Sequence, residues 1–146
     1  MANMIQYAKE QVSRVIAQAY EKAAAAGALP GGVAVKGTVE IPKDPKNGDY
    51  AASFAMAGAK AMKMAPRAIA QALVDHMDLG DTPFASVEIA GPGFLNFRLG
   101  HRWYGQVLSA IESEGALYGQ SQEGQGKRVM VEFVSANPTG PMHMGN

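Results

Sequence analysis

Two short apolar runs, Phe84–Ala90 and Phe94–Leu99, are separated only by Gly91-Pro92-Gly93. Strand-length runs joined by a Gly/Pro turn read as a hairpin, and a hairpin needs a partner layer to cover one face. The segments before it are helical. Ile5, Ala8, Val12, Val15, Ile16, Ala19 and Ala23 recur at three-to-four spacing, which predicts a helix over residues 4–26 ended by Gly27 and Pro30. Val33–Ile41 alternates loosely as a strand, and residues 42–48 form a loop of turn formers and lysines. Asp49 is expected to N-cap a helix from Tyr50 to about Lys63. Pro66 suits the first turn of the next helix, with Ile69, Ala70, Leu73, Val74 and Met77 facing inward and Gly80 closing it.

After the hairpin, Trp103–Glu114 reads as a connecting helix with Val107, Leu108 and Ile111 as its apolar stripe. Gly119–Gly126 is a Gly/Gln/Ser-rich linker, and Val129–Val134 follows as a strand. The expected organisation is an α+β domain over residues 1–100, a connecting helix and linker over 101–126, and the start of a parallel-sheet domain over 127–146.

A length of 146 residues fits one domain, or one domain and the opening of another. The 47% apolar and 18% charged fractions supply a core and argue against disorder. The nine methionines read as adaptable core filler. With no cysteine, disulfides and thiolate metal sites are excluded, and His76, His101 and His143 lack metal-ligand spacing. Lys9, Glu10 and Arg14 interrupt any secretory apolar core, and no apolar stretch reaches membrane-span length. A cytoplasmic protein without membrane association is therefore expected. Net charge is zero but uneven. Lys36, Lys43, Lys46, Lys60, Lys63 and Arg67 crowd residues 36–67, whereas residues 68–97 carry only acids. That asymmetry fits either a polyanion-facing side or a solvated helix face.

Residues 129–146 run from an apolar strand pattern through a Pro/Gly turn to His143 and Gly145, at what should be the start of a helix. In open α/β proteins such a junction binds nucleotide phosphates, although Asn-Pro, Thr-Gly and Gly-Pro are equally ordinary turn dipeptides. Asn137-Pro138-Thr139-Gly140-Pro141-Met142-His143-Met144-Gly145-Asn146 resembles the His-x-Gly-His signature region of class I aminoacyl-tRNA synthetases. Glu132-Phe133-Val134-Ser135-Ala136-Asn137 resembles its form in arginyl-tRNA synthetases. Gly48-Asp49-Tyr50-Ala51 and Ala90-Gly91-Pro92-Gly93-Phe94-Leu95-Asn96-Phe97 resemble the extra N-terminal domain of those enzymes.

The resemblance implies an arginine–tRNA ligase using ATP and Mg²⁺, with arginine and tRNA as partners. It also implies an additional domain with a small, mainly antiparallel sheet packed by helices, followed by the first strand of a Rossmann-type catalytic domain. By the same resemblance, His143 and Asn146 are catalytic and hold ATP phosphates, with Gly145 under the adenine. Asn146 stands where the family usually has histidine, which keeps an N–H donor without a positive charge. Ser135 and Asn137 would face the amino and carboxylate groups of arginine, and Glu132 its cation. Phe94 and Asn96 would contact a base of the tRNA D-loop. Because the sequence stops inside the signature, the 146 residues are expected to be an N-terminal fragment inactive alone. Two other readings stay open: a nucleotidyltransferase of the same superfamily, or a non-catalytic RNA- or protein-interaction module.

Overall fold

The computed structural model describes residues 3–34, 36–122, 124–132 and 140. Helix α1 (Met4–Ala25) begins at Asn3, whose Oδ1 accepts from Gln6 N at 3.0 Å. It ends at Gly27, which takes the left-handed conformation (φ 73°) that glycine adopts without Cβ strain. The expected stripe is buried from Ala8 through Ala23. Ile5, in the first turn, is instead 53% exposed, while Met4 and Tyr7 are the residues of that turn that pack against the core.

Strands β1 (Val39–Glu40), β2 (Tyr50–Ala52), β3 (Phe84–Ala90) and β4 (Phe94–Leu99) form one sheet in the order β1-β2-β4-β3, with every pairing antiparallel. The hairpin therefore has the expected bounds, and the α+β architecture holds. Helices α2 (Phe54–Met62) and α3 (Pro66–Asp75) join α1 over one face of the sheet. There Leu95 and Phe97 of β4 are fully buried against the apolar sides of the helices, including Val12, Ile16, Ile69 and Leu73. Full burial of each such side chain is worth about 1.5–3 kcal/mol. Phe84 and Phe97 meet with ring centroids 5.1 Å apart.

Several local expectations are corrected. The strand over Val33–Ile41 shrinks to β1, with the Tyr20 hydroxyl holding the backbone at the start of this segment and Ser53 Oγ accepting from Thr38 N at 3.0 Å just before β1. The tyrosine hydroxyl accepts from Val33 N at 2.9 Å and donates to Pro30 O at 2.7 Å. Asp49 caps no helix: Tyr50–Ala52 pairs with β4, and α2 starts only at Phe54. Tertiary pairing outweighs the helix propensity of this Ala-rich run. Helix α3 ends at Asp75, before Met77 and Gly80.

Helix α4 (His101–Glu114) carries its stripe differently as well. Trp103 is buried and Val107 packs against the core, while Leu108 is 62% and Ile111 38% exposed. At 100° per residue, neighbours such as 107 and 108 can fall either side of the contact line. Val129–Glu132, expected to open a buried strand, are not in a strand. Val129, Met130 and Val131 are 76%, 95% and 71% exposed. A parallel strand needs hydrogen-bonded neighbours, and these residues have none among the described residues.

Candidate nucleic-acid interface

Antiparallel register decides which side chains share the uncovered face of the sheet. Glu40 lies opposite Ala51, Ala51 opposite Asn96, and Asn96 opposite Glu88. Since successive residues alternate faces, Phe94, Asn96 and Arg98 point away from Leu95 and Phe97. The outer face therefore carries an aromatic ring, an amide and a guanidinium in one line along β4.

Residues 42–48 are folded back across this face and held there. The Arg98 guanidinium donates to Lys46 O at 2.8 Å and to Pro45 O at 3.5 Å. Asp44 Oδ1 accepts from Lys46 N at 3.0 Å, closing a single 3₁₀ turn over Pro45–Asn47. Gly48 (φ 88°) then brings the chain against β4. A Cβ there would lie 2.7 Å from Phe97 O. Asp49 completes the attachment: its N donates to Phe97 O at 2.8 Å, and its Oδ2 accepts from Leu99 N at 2.7 Å.

The hairpin turn is fastened from the opposite side. Arg67, at the start of α3, donates to Gly91 O at 3.0 Å, and a Cβ on Gly93 would meet Pro66 at 3.0 Å. Between these two fixed loops lies a cavity of about 440 Å³. Ala51 and Asn96 contribute to its lining from the strands, Phe94 and Pro92 from the turn side, and Lys43 and Asn47 from the loop. The small Ala51 side chain helps to leave that space open. A volume of this order suits a small planar group and its attachments.

The polar groups here are available for a ligand. Asn96 is only 8% exposed, yet its amide makes no hydrogen bond among the described residues and lines the cavity. Its polar atoms open to the cavity, where they are free to exchange hydrogen bonds with whatever enters. Lys43 lines the cavity beside Glu40 and Asp44, and Lys46 lies on the same loop; both lysines are exposed and neither pairs with a carboxylate among the described residues. Tyr50, on the opposite, core-facing side of the sheet, has its hydroxyl pKa raised above 10.0 by burial and secondarily by the Asp49 carboxylate. The arrangement can stack a ring on Phe94, exchange hydrogen bonds with Asn96 and attract an anion to Lys43. Among the described residues no group of three His, Asp or Glu could hold a metal ion.

The structure thus brings Phe94 and Asn96 together, though Phe94 is half-buried rather than fully displayed. Glu132 is exposed and not in a strand. Ser135, Asn137, His143, Gly145 and Asn146 lie outside the described residues, as does the Asn137–Asn146 motif apart from Gly140. Sequence reasoning missed Asn47 and the fastening roles of Asp49, Arg67 and Arg98. A polar residue at the tip of a Pro/Gly-bounded loop was the one available signal for Asn47.

The family model for the arginyl tRNA synthetase N terminal domain matches residues 8–99. The chain belongs to that family. It is 44% identical over its full length to the arginine–tRNA ligase of Acetivibrio thermocellus, covering 26% of that protein. It is 48% identical over 95% of its length to the corresponding ligase of Symbiobacterium thermophilum, covering 25% of it. The chain thus spans about a quarter of the length of the curated relatives it matches. Among solved structures, the arginyl-tRNA synthetase of Plasmodium falciparum superposes with a TM-score of 0.55 at 13% identity. The match covers 70% of this chain and 18% of that one. At that identity the likeness concerns the fold alone.

Proposed function

We propose that this chain is the tRNA-engaging N-terminal part of an arginine–tRNA ligase, and that the cavity between the 42–48 loop and the hairpin turn receives one unpaired base of the tRNA D-loop. The observation that carries the reading is the Asn96 amide, which makes no hydrogen bond among the described residues and opens into the cavity beside Phe94 and the loop bearing Lys43. Unpaired bases are recognised by stacking on aromatic rings and by hydrogen bonds to their edges, while backbone phosphates supply a salt-dependent term. In this reading Phe94 stacks, Asn96 reads the base edge, and Lys43 and Lys46 neutralise phosphates. Residues 1–100 form the binding domain, residues 101–126 connect it, and residue 127 opens the catalytic domain.

The full-length protein joins arginine to ATP as an arginyl-adenylate with release of pyrophosphate, then transfers arginine to tRNA with release of AMP. ATP with Mg²⁺ supplies the activated phosphate. His143, Gly145 and Asn146 would hold that nucleotide, and Glu132, Ser135 and Asn137 the amino acid. Phosphate stabilisation in such sites converges from several elements, so the 146 residues alone bind RNA without catalysing exchange. The family match over residues 8–99 supports this reading over a nucleotidyltransferase.

Filter binding with transcribed tRNA tests the proposal. Phe94→Ala should weaken binding by about 1–3 kcal/mol, the worth of one stacked base, without changing the salt slope. Varying the D-loop base should change the affinity of the parent chain but not of Asn96→Ala. Equal binding of every D-loop variant by the parent chain would leave only a non-specific basic surface.

A further inference from the structure

Helix α4 has two apolar faces, and the fold covers only one. Trp103 and Val107 face the body, with Trp103 stacked on Tyr7 at a centroid distance of 6.5 Å. On the other side Tyr104, Leu108 and Ile111 follow one another at i, i+4 and i+7, with exposures of 60%, 62% and 38%. That spacing is a continuous stripe along one side of a helix. Immediately beyond the helix, Leu117 is 59% and Tyr118 36% exposed. Single exposed apolar residues are ordinary, but three in one stripe, with two more just past the helix end, mark a contact surface.

We infer that this stripe is the seat on which the remainder of the ligase polypeptide docks. Three observations select that occupant over a foreign partner. The relatives are about four times as long as the matched region, and the family model is that of an N-terminal domain, so a large following portion exists in those proteins. The residues that follow α4 turn repeatedly, with positive φ at Gly115, Gly119, Gln125 and Gly126, and residues 118–122 line a groove with Asn3, Met4 and Ile5, so the onward chain stays against the body. Val129, Met130 and Val131, just past those turns, form a second exposed apolar run. Apolar surface on both sides of a short connection is the pattern of two pieces of one chain that pack together.

The docking makes α4 a rigid strut: the base-binding cavity and the following domain hold a fixed relative position instead of swinging on the linker. The inference rests on the chain's being part of a full-length ligase, and its test reads neither tRNA binding nor charging. The sequence contains no cysteine, so a single thiol can be introduced at Leu108. Leu108→Cys in the 146-residue chain should react at the rate of a free thiol, and in the full-length protein at least about tenfold more slowly. Ser109→Cys, on an exposed neighbouring position, serves as the reference thiol in both proteins. Equal reactivity of the Leu108→Cys thiol in the two proteins would overturn the docking, even if the full-length protein charges tRNA. Protection that emerges in the 146-residue chain as its concentration rises, with a doubled mass in solution, would also overturn it in favour of a second copy. Should Leu108→Cys fail to express, hydrogen exchange over residues 104–111 in the two unmodified proteins gives the same comparison.

Discussion

Replacing Gly48 with alanine should cost this small domain a large part of its stability. The residue sits at φ 88°, ψ −172°, a region that only glycine occupies readily, and a side chain held there carries roughly 1–3 kcal/mol of strain. A Cβ would also lie 2.7 Å from Phe97 O, a backbone atom of a central strand that cannot step aside. Relief requires lengthening the 2.8 Å bond from Asp49 N to that same oxygen, forfeiting about 1 kcal/mol more. The sum is about 2–4 kcal/mol, which lowers Tm by roughly 10–25 °C in a domain of this size. Thermal unfolding followed by circular dichroism measures it. Gly31→Ala is the control, because its position is open and lacks positive φ, and it should stay within about 0.5 kcal/mol of the parent. A Gly48→Ala protein melting within about 3 °C of the parent would refute the close approach of this loop to β4.

Phe97→Ala, which empties a fully buried site, should destabilise by about 3–5 kcal/mol in urea titration. Tyr50 holds its proton more tightly folded than unfolded, so its contribution is complete below pH 10.0 and is lost as pH rises through the raised folded value. Urea midpoints measured across that alkaline range should fall more steeply for the parent than for Tyr50→Phe. Lys43→Ala should flatten the salt dependence of tRNA binding by about one phosphate contact in titrations at varied salt. In the full-length protein, His143→Ala should lower kcat by about 10²–10³ while tRNA affinity holds, as steady-state kinetics and filter binding would show.

The hairpin and α1 were legible because their patterns are local. Leu95 and Phe97 alternate with Phe94 and Asn96 in sequence as they do across the sheet. Tyr50–Ala52 was misread because nothing local distinguishes a three-residue strand from the first turn of an Ala-rich helix. Its partner lies more than forty residues away in β4, and the pairing is tertiary. Phe94 and Asn96 were found as candidate contacts, but the cavity was not. Its other wall is the 42–48 loop, brought over the sheet by Arg98 and Asp49, neither of which carries a sequence sign of that task.

The strand order has a consequence for how the chain reaches its native state. The β3–β4 hairpin closes a three-residue turn, whereas β2 must find β4 across the intervening two helices. Loop closure over such a span is entropically costlier, and β1 can add only after β2 is in place. The hairpin thus serves as the template, and the 42–48 loop is the last piece laid down and the first to lift. Mutations in β3 and β4 should then slow refolding, while Asp49→Ala should chiefly speed unfolding; the reverse pattern in stopped-flow kinetics would contradict this order. On that order a chain can keep its hydrophobic core while losing one wall of the proposed base-binding cavity.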